Sequence, residues 1–162
     1  MKYFDVPGFL VAGEEIPVID VRSPSEFSQG HIPGATNLPL FDDAERKIVG
    51  TLYKKAGREA AVLRGLDIAG PKMSGFVKQA RKIATARKVL VHCWRGGMRS
   101  KNMAWLFESV NIETGVLEGG YKAYRRYIRQ ELEKPANLKV VGGKTGSGKT
   151  AILHCIKDAG KQ

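Results

Sequence analysis

Residues 88–100, KVLVHCWRGGMRS, contain a short apolar run, a glycine-bearing turn and the start of a second apolar pattern. The run Lys88–His92 is mostly apolar and is predicted to be a buried strand. Apolar residues recur at helical spacing after Arg99, so a helix is expected to follow. A strand that leads through a loop into a helix is the repeating unit of a parallel α/β sheet. Chemistry in such sheets lies beyond the carboxyl ends of the strands, where Cys93 falls.

The same alternation of strands and helices extends over most of the chain. Further strands are predicted at residues 17–21, 35–38, 114–117 and 138–141. Helices are predicted at residues 23–27, 41–56, 58–69, 73–86, 100–110 and 121–134, and a last helix ends at residue 159. This order predicts an α/β fold with a mainly parallel sheet.

Composition excludes several classes of protein. The 162 residues are 43% hydrophobic and 27% charged, which is typical of a globular chain and argues against a disordered one. There is no apolar run of about 18 residues and no signal-peptide pattern, so we expect no membrane span and no secretion. Cys93 and Cys155 are too few for a disulfide framework, which favours the reducing cytoplasm.

The charge is strongly positive and unevenly distributed. The formal net charge is +11. Residues 1–43 carry two basic and seven acidic side chains, whereas residues 44–162 carry 25 basic and nine acidic ones. A concentrated positive field favours a polyanionic partner such as nucleic acid, although a plain solvated basic surface is the alternative. Much of the positive charge lies on two predicted helical faces. One face has Lys122, Arg125, Arg126 and Arg129, and the other has Lys78, Arg81, Lys82, Arg87 and Lys88.

The segment after the third predicted strand has the features of a reactive cysteine site. Gly96 and Gly97 are expected to let the loop curl so that its backbone N–H groups face inward. The start of the following helix adds partial positive charge, which favours the thiolate form of a cysteine. Arg99, and secondarily Arg95, can hold an oxyanion. The alternative is a buried, inert cysteine at a strand end.

A second motif lies near the carboxyl end of the chain. Residues 143–150, GKTGSGKT, fit the phosphate-binding loop of nucleotide-binding proteins. The backbone of such a loop, here with Gly143, Gly146 and Gly148, cradles phosphates, while Lys149 reaches the outer phosphates and Thr150 holds magnesium. Too few residues follow Thr150 for a nucleotide-binding domain, so we expect residues 135–162 to be the incomplete start of one. A flexible glycine–serine linker is the alternative.

Several other polar residues are assigned structural roles. Asp20 and Arg22 are expected to secure loops by hydrogen bonding. The three histidines have no metal-ligand spacing, so no metal site is predicted.

Three short motifs give the first resemblance to a known family. Residues 20–22 (DVR), 26–27 (EF) and 30–35 (GHIPGA), followed much later by the cysteine loop, resemble the rhodanese-homology domain. The resemblance implies a rhodanese-like, doubly wound α/β domain over residues 1–134, in which the thiol accepts sulfur. Five residues separate Cys93 from Arg99, as in protein phosphatases, whereas sulfurtransferases usually have four. Loop length alone therefore favours a phosphatase.

Longer segments resemble the bacterial tRNA 2-selenouridine synthases. They are residues 93–100 (CWRGGMRS), 49–54 (VGTLYK), 58–61 (REAA), 119–125 (GGYKAYR) and the phosphate-binding loop. The resemblance implies a helical insertion around residues 49–61 that ordinary rhodaneses lack. Members of that family continue into a full second domain, so this chain is expected to be the amino-terminal part of such an enzyme.

The resemblance implies a transferase that replaces sulfur by selenium in the wobble 2-thiouridine of tRNA. The co-substrates implied are selenophosphate and geranyl diphosphate, with a geranylated intermediate and no tightly bound cofactor. Cys93 would carry the selenium as a Cys–S–Se adduct, and the phosphate portion would be held by Trp94, Arg95, Gly96, Gly97, Met98 and Arg99. The basic faces would dock tRNA, and the phosphate-binding loop would serve the prenyl diphosphate.

Two other functions remain open at this stage. The spacing between Cys93 and Arg99 suits a rhodanese-fold dual-specificity phosphatase. An inactive, tRNA-binding fragment is the second alternative. Turnover of an aryl phosphate would argue for the first, and tRNA binding without thiol chemistry for the second.

Overall fold

The computed structural model describes residues 1–84, 86–135 and 140–160, in two compact units, Met1–Glu131 and Leu132–Gln162. The strands of the first unit are β1 (Lys2–Phe4), β2 (Val18–Asp20), β3 (Thr36–Asn37), β4 (Lys88–His92) and β5 (Glu113–Leu117). Its helices are α1 (Val6–Ala12), α2 (Pro24–Ser28), α3 (Asp43–Ala69), α4 (Met73–Ile83), α5 (Met98–Glu108) and α6 (Gly120–Leu132). The domain division at residue 134 stays a prediction.

The five strands form one parallel sheet. Their order is β1-β5-β4-β2-β3, and each neighbouring pair is parallel. In the central strand, Val91 pairs with Ile19 of β2 and Val116 of β5. The predicted α/β class with a parallel sheet is confirmed, and Cys93 directly follows this central strand.

Helices cover both faces of the sheet. Successive side chains of a strand point to opposite faces, so β4 can be followed residue by residue. Val89 and Val91 pack in a core cluster with Phe107 of α5, whereas Leu90 packs in a second cluster with Tyr121 of α6. Burial on both sides explains why β4 is almost continuously apolar. The doubly wound architecture expected from the rhodanese resemblance is confirmed.

The amino-terminal elements β1 and α1 are absent from the sequence-based prediction. β1 has three residues, too few for a periodic pattern. The start of α1 has a readable signal, because the Asp5 side chain accepts the backbone N–H of Gly8 at 2.9 Å and Pro7 occupies the first turn. Asp5, with Pro7 two residues later, could therefore have marked this helix.

The helices predicted at 41–56 and 58–69 form one long element, α3, interrupted at Gly57. The backbone of Gly57 has φ +87°, which breaks the helical path where the two predicted segments meet. Asp42 and Glu45 form a reciprocal capping box at the start of α3. This capping fixes where α3 begins.

The second unit contains a loop and α7 (Lys149–Ala159). Of the strand predicted at 138–141, residues 138 and 139 lie outside the described residues, and Val140 and Val141 form no strand. Val140 is exposed, as are the apolar side chains Ile152, Leu153 and Ile156 of α7. A strand needs a neighbour and a buried face, and the described part of this unit provides neither to Val140. Across the described residues, no helix is long and apolar enough to cross a membrane.

Candidate active site

Cys93 lies at the carboxyl end of β4 and is buried, with 3% of its surface exposed. Its Sγ is 3.2 Å from the Oγ of Ser100, in the first turn of α5. The Ser100 hydroxyl donates its single proton to the carbonyl oxygen of Gly97 at 3.1 Å. In this arrangement a Cys93 thiol donates to Ser100. Stabilising a thiolate instead requires the Ser100 hydroxyl to turn its proton toward the sulfur.

The backbone of the cysteine loop, residues 93–99, offers unused hydrogen-bond donors. Within the described residues, the backbone N–H groups of residues 94–99 have no protein acceptor. Helix α5 begins at Met98, and no side chain caps its first turn. Uncapped N–H groups at a helix start carry partial positive charge and bind anions. The loop can therefore accept an oxyanion beside the Cys93 sulfur.

The curl of the loop depends on Gly96 and on a second glycine, Gly120, the first residue of α6. Gly96 has φ +64°, and a Cβ there would lie 2.8 Å from the carbonyl oxygen of Leu117. Gly120 has φ +60°, and its Cβ would collide with the carbonyl oxygen of Cys93 and lie 2.5 Å from the Gly96 nitrogen. The two backbones therefore touch directly, which side chains at these positions would prevent.

Hydrogen bonds from the start of α6 fix this contact. The backbone N–H of Tyr121 donates to the Cys93 carbonyl at 2.8 Å, and that of Lys122 donates to the Trp94 carbonyl at 2.9 Å. Gly97, also predicted to permit the curl, has φ −93° and open space where a Cβ would stand. The structure thus places the conformational requirement on Gly96 and not on Gly97.

Arg99 is held by a carboxylate from another segment. Its Nη1 and Nη2 donate to the Oε2 and Oε1 of Glu26 at 2.6 and 3.3 Å. Burial raises the pKa of Glu26, but the hydrogen bond and charge of Arg99, with the Ser23 N–H and Arg46, outweigh it and lower the pKa below its usual 4.5. Glu26 is thus ionised near neutral pH and orients the Arg99 guanidinium. Arg95, by contrast, is exposed.

A third charged group approaches from α3. The Nε of Arg46 lies 3.8 Å from the Oε1 of Glu26. Sequence reasoning missed Glu26, Arg46 and the contact between Ser100 and Cys93. The capping pattern around Ser23 marked the position of Glu26 but not its partner, and no sequence signal distinguishes Arg46 from the other arginines.

Beneath the loop, Asp20, Arg22 and His92 form a buried polar group. The Arg22 Nη2 donates to the Asp20 Oδ2 at 2.6 Å and to the Gly30 carbonyl at 2.8 Å. Its guanidinium also lies 3.9 Å from the centre of the Tyr121 ring. These contacts tie the turn at Gly30 to β2, so Asp20 and Arg22 secure a loop as predicted. They also support the side of the sheet on which α6 packs.

His92 is fully buried, and we expect it to make the stability of the protein depend on pH. Burial lowers the pKa of His92 from 6.5 to about 4, more than the neighbouring Asp20 raises it. The unfolded chain then binds a proton near pH 6.5 that the folded protein rejects until about pH 4. As the pH is lowered from 6.5 to about 4, the free energy of unfolding should therefore decrease by about 3 kcal/mol in total.

Urea unfolding of the wild type and of His92→Phe at several pH values measures this effect. Phenylalanine keeps the ring contacts with Phe9 and Tyr121 but cannot titrate, so its stability should vary less between pH 6.5 and 4. Because the pKa of Glu26 is lowered below 4.5, its loss of charge affects stability only at more acidic pH and is the same in both proteins. An unchanged slope in His92→Phe would contradict the prediction.

The phosphate-binding loop lies in the second unit and contacts itself. The Lys149 Nζ donates to the carbonyl oxygens of Gly143 and Lys144 at 2.8 and 2.7 Å. Gly146 and Gly148 have φ values of +84° and +80°, so both need glycine. Thr150 follows in the first turn of α7. In the described ranges, no group of three or more His, Cys, Asp or Glu side chains is placed to hold a metal ion.

Comparison with known proteins places this chain in a recognised family. The model of the rhodanese-like domain matches residues 10–127. The chain is 46% identical over 154 residues to the tRNA 2-selenouridine synthase of Bdellovibrio bacteriovorus, covering 89% of this chain and 39% of that protein. It is 38% identical over 154 residues to the enzyme of the same name from Nitrosomonas europaea, covering 90% and 39%. The chain thus spans about two fifths of the length of these relatives.

A solved structure is similar over nearly its whole length. It is the crystal structure of the N-terminal domain of a candidate ATP/GTP-binding protein from Clostridium difficile 630. The TM-score is 0.71 at 33% sequence identity, covering 78% of this chain and 98% of that one.

Proposed function

Because this chain belongs to the rhodanese-like domain family, we propose that Cys93 is the nucleophile of a tRNA-modifying transferase. The proposed reaction replaces sulfur by selenium in wobble 2-thiouridine, with selenophosphate as donor and a geranylated intermediate. The similarity to tRNA 2-selenouridine synthases over most of this chain supports the substrate class.

The observation that carries the proposal is the set of donors around Cys93. Among the residues that the structure describes, none accepts a hydrogen bond from the backbone N–H groups of residues 94–99, and the Arg99 guanidinium lies at the end of the same loop. Selenophosphate has the shape and charge of phosphate, which such donors bind well. The phosphate portion is then held by the loop, and the Cys93 sulfur faces the selenium. The loop residues that hold the phosphate are Trp94, Arg95, Gly96, Gly97, Met98 and Arg99.

The proposed transfer begins with attack of the Cys93 thiolate on selenium. The S–Se bond forms and the Se–P bond breaks, so selenium is oxidised by two electrons and phosphorus is reduced by two. Phosphorus leaves with the bonding electron pair, takes up a proton and departs as phosphite, which leaves Cys93–S–Se⁻ on the protein. After selenium bonds to the uridine carbon and geranylthiolate leaves, a reductant thiolate attacks the Cys93 sulfur and breaks the S–Se bond, which releases the selenouridine. A second thiol then reduces the mixed disulfide left on Cys93.

The exposed cationic face of α6 is the proposed contact for tRNA. The exposed cations of this helix are Lys122, Arg125, Arg126 and Arg129. The first turn of the helix makes the hydrogen bonds to the cysteine loop. Lysine and arginine side chains along one face bind a phosphate backbone. The second basic face includes Lys88, which lies at the opposite end of β4 from Cys93 and pairs with Glu113 at 3.3 Å. The α6 face is therefore the better placed of the two.

The role proposed for the second unit is binding of the prenyl diphosphate. The motif expected to hold diphosphate oxygens consists of Gly143, Gly146, Gly148, Lys149 and Thr150. Lys149 caps its own loop in this structure, and a bound diphosphate would replace the two carbonyl contacts with phosphate oxygens.

Non-reducing mass spectrometry after exposure to selenophosphate tests the proposal. We expect one selenium adduct, which peptide mapping assigns to Cys93. Cys155 is exposed on α7 and provides the internal control for unselective thiol chemistry. Equal labelling of both cysteines, or no labelling of Cys93, would contradict the assigned role.

The five-residue spacing of the loop favours one alternative, a phosphatase. In that reaction the thiolate attacks phosphorus, forms a Cys–S–PO₃ bond and expels the leaving group with no change of oxidation state. A phosphoryl adduct has nearly the same mass as a selenium adduct, but phosphorus lacks the broad isotope pattern of selenium. A phosphorus pattern on Cys93, with hydrolysis of an aryl phosphate, would identify the alternative.

A further inference from the structure

Arg46 presents an unused donor beside the cysteine loop. It lies in the first turn of α3, far in sequence from Cys93 and Arg99. Its Nε is buried and makes no hydrogen bond to any described residue, because the Oε1 of Glu26 is 3.8 Å away. A buried N–H group without an acceptor is unfavourable, and binding an anion would relieve that cost.

The charges around Glu26 leave a positive excess. The Glu26 carboxylate lies between two guanidinium groups and makes its short hydrogen bonds to Arg99, at 2.6 and 3.3 Å. One carboxylate cannot neutralise two cations. Burial and then the like charge of Arg99 lower the pKa of Arg46, whereas Glu26 and Cys93 raise it.

The Arg46 guanidinium lies where a side chain at position 50 would stand, and Gly50 has none. A Cβ on Gly50, one helical turn after Arg46, would be 2.6 Å from the Arg46 Nη1. Glycine weakens a helix interior relative to alanine, so the residue is costly there on propensity alone. Its small size lets the guanidinium lie along the helix toward Glu26.

We propose that Arg46 is a second cationic ligand for the anionic group of the substrate at Cys93. Arg99 and the N–H groups of the loop hold one side of a multiply charged, phosphate-like oxyanion, and the Arg46 Nε–H donates to it from α3. The inference rests on the proposed function in that it takes Cys93 to be the nucleophile that meets this anion. It also assigns the amino-terminal turn of α3 a part in the site.

Alkylation of Cys93 by iodoacetate and by iodoacetamide tests the role of Arg46. The two reagents have similar sizes, but iodoacetate is an anion, so the ratio of their rates reports the cationic surroundings and cancels the thiolate fraction. Peptide-resolved rates are measured for the wild type, Arg46→Met, Arg46→Lys and Gly50→Ala. Arg58→Met is the matched control, because Arg58 is an exposed cation of α3 beyond the break at Gly57.

We expect the ratio at Cys93 to fall about fivefold in Arg46→Met, the upper end for a partly exposed ion pair. Arg46→Lys should restore part of the ratio, and Gly50→Ala should lower it by displacing the guanidinium. Arg58→Met should match the wild type, and the ratio at Cys155 should stay constant in every variant. An unchanged Cys93 ratio in Arg46→Met overturns the inference. A Cys93 that reacts with neither reagent in the wild type overturns the proposed nucleophile itself.

Discussion

Replacement of Cys93 by serine is expected to abolish selenium transfer to tRNA. A serine hydroxyl stays protonated at neutral pH and lacks the nucleophilicity of a thiolate toward selenium. The fold should persist, because a serine Oγ can hydrogen-bond to the Ser100 Oγ that now lies 3.2 Å from the sulfur. We expect at least a thousandfold loss of 2-selenouridine formation, in line with removal of an essential nucleophile.

The measurement is mass spectrometry of tRNA digests, together with tRNA binding at fixed salt. Binding should change by less than about twofold, because the proposed tRNA contact lies on α6 and depends on backbone charge. Cys155→Ser removes the exposed thiol of the second unit and should retain full transfer. A Cys93→Ser protein that still forms 2-selenouridine would show that another group carries the selenium.

Gly120→Ala is expected to be strongly destabilising although it leaves every polar side chain intact. Alanine at φ +60° costs about 1–2 kcal/mol. Its Cβ would also collide with the Cys93 carbonyl, and relieving such overpacking costs a further 1–3 kcal/mol or so. We expect the free energy of unfolding to fall by about 3 kcal/mol, with loss of reactivity at Cys93 because the loop must move away.

Urea unfolding and the rate of Cys93 alkylation measure the two effects. Gly97→Ala is the matched control, since Gly97 has a negative φ and open space at its Cβ position. It should change the free energy of unfolding by less than about 1 kcal/mol. Equal effects of the two substitutions would refute the direct packing of Gly120 against the cysteine loop.

The fold class follows from patterns that are visible along the chain. β4 was predicted with its observed limits because its apolar run ends abruptly at a polar residue and a cysteine. The break in α3 was predicted because Gly57 interrupts two helical patterns. β1 escaped prediction because three residues carry no period, and its place at the sheet edge depends on pairing with β5, more than 100 residues later.

The chain by itself indicated the proposed nucleophile and the first cation of the candidate site. Cys93, Gly96 and Arg99 lie within seven residues, so the strand, the turn and the helix start fix their arrangement locally. Periodicity reports whether a side chain is buried, but it does not report which distant side chain it meets. The tertiary structure therefore decided what sequence could not. The sheet order brings Glu26 and Arg46 to Arg99, and the start of α6 at Gly120 packs against the cysteine loop. Burial keeps His92 uncharged. Each of these features depends on contacts between segments that are far apart in the chain.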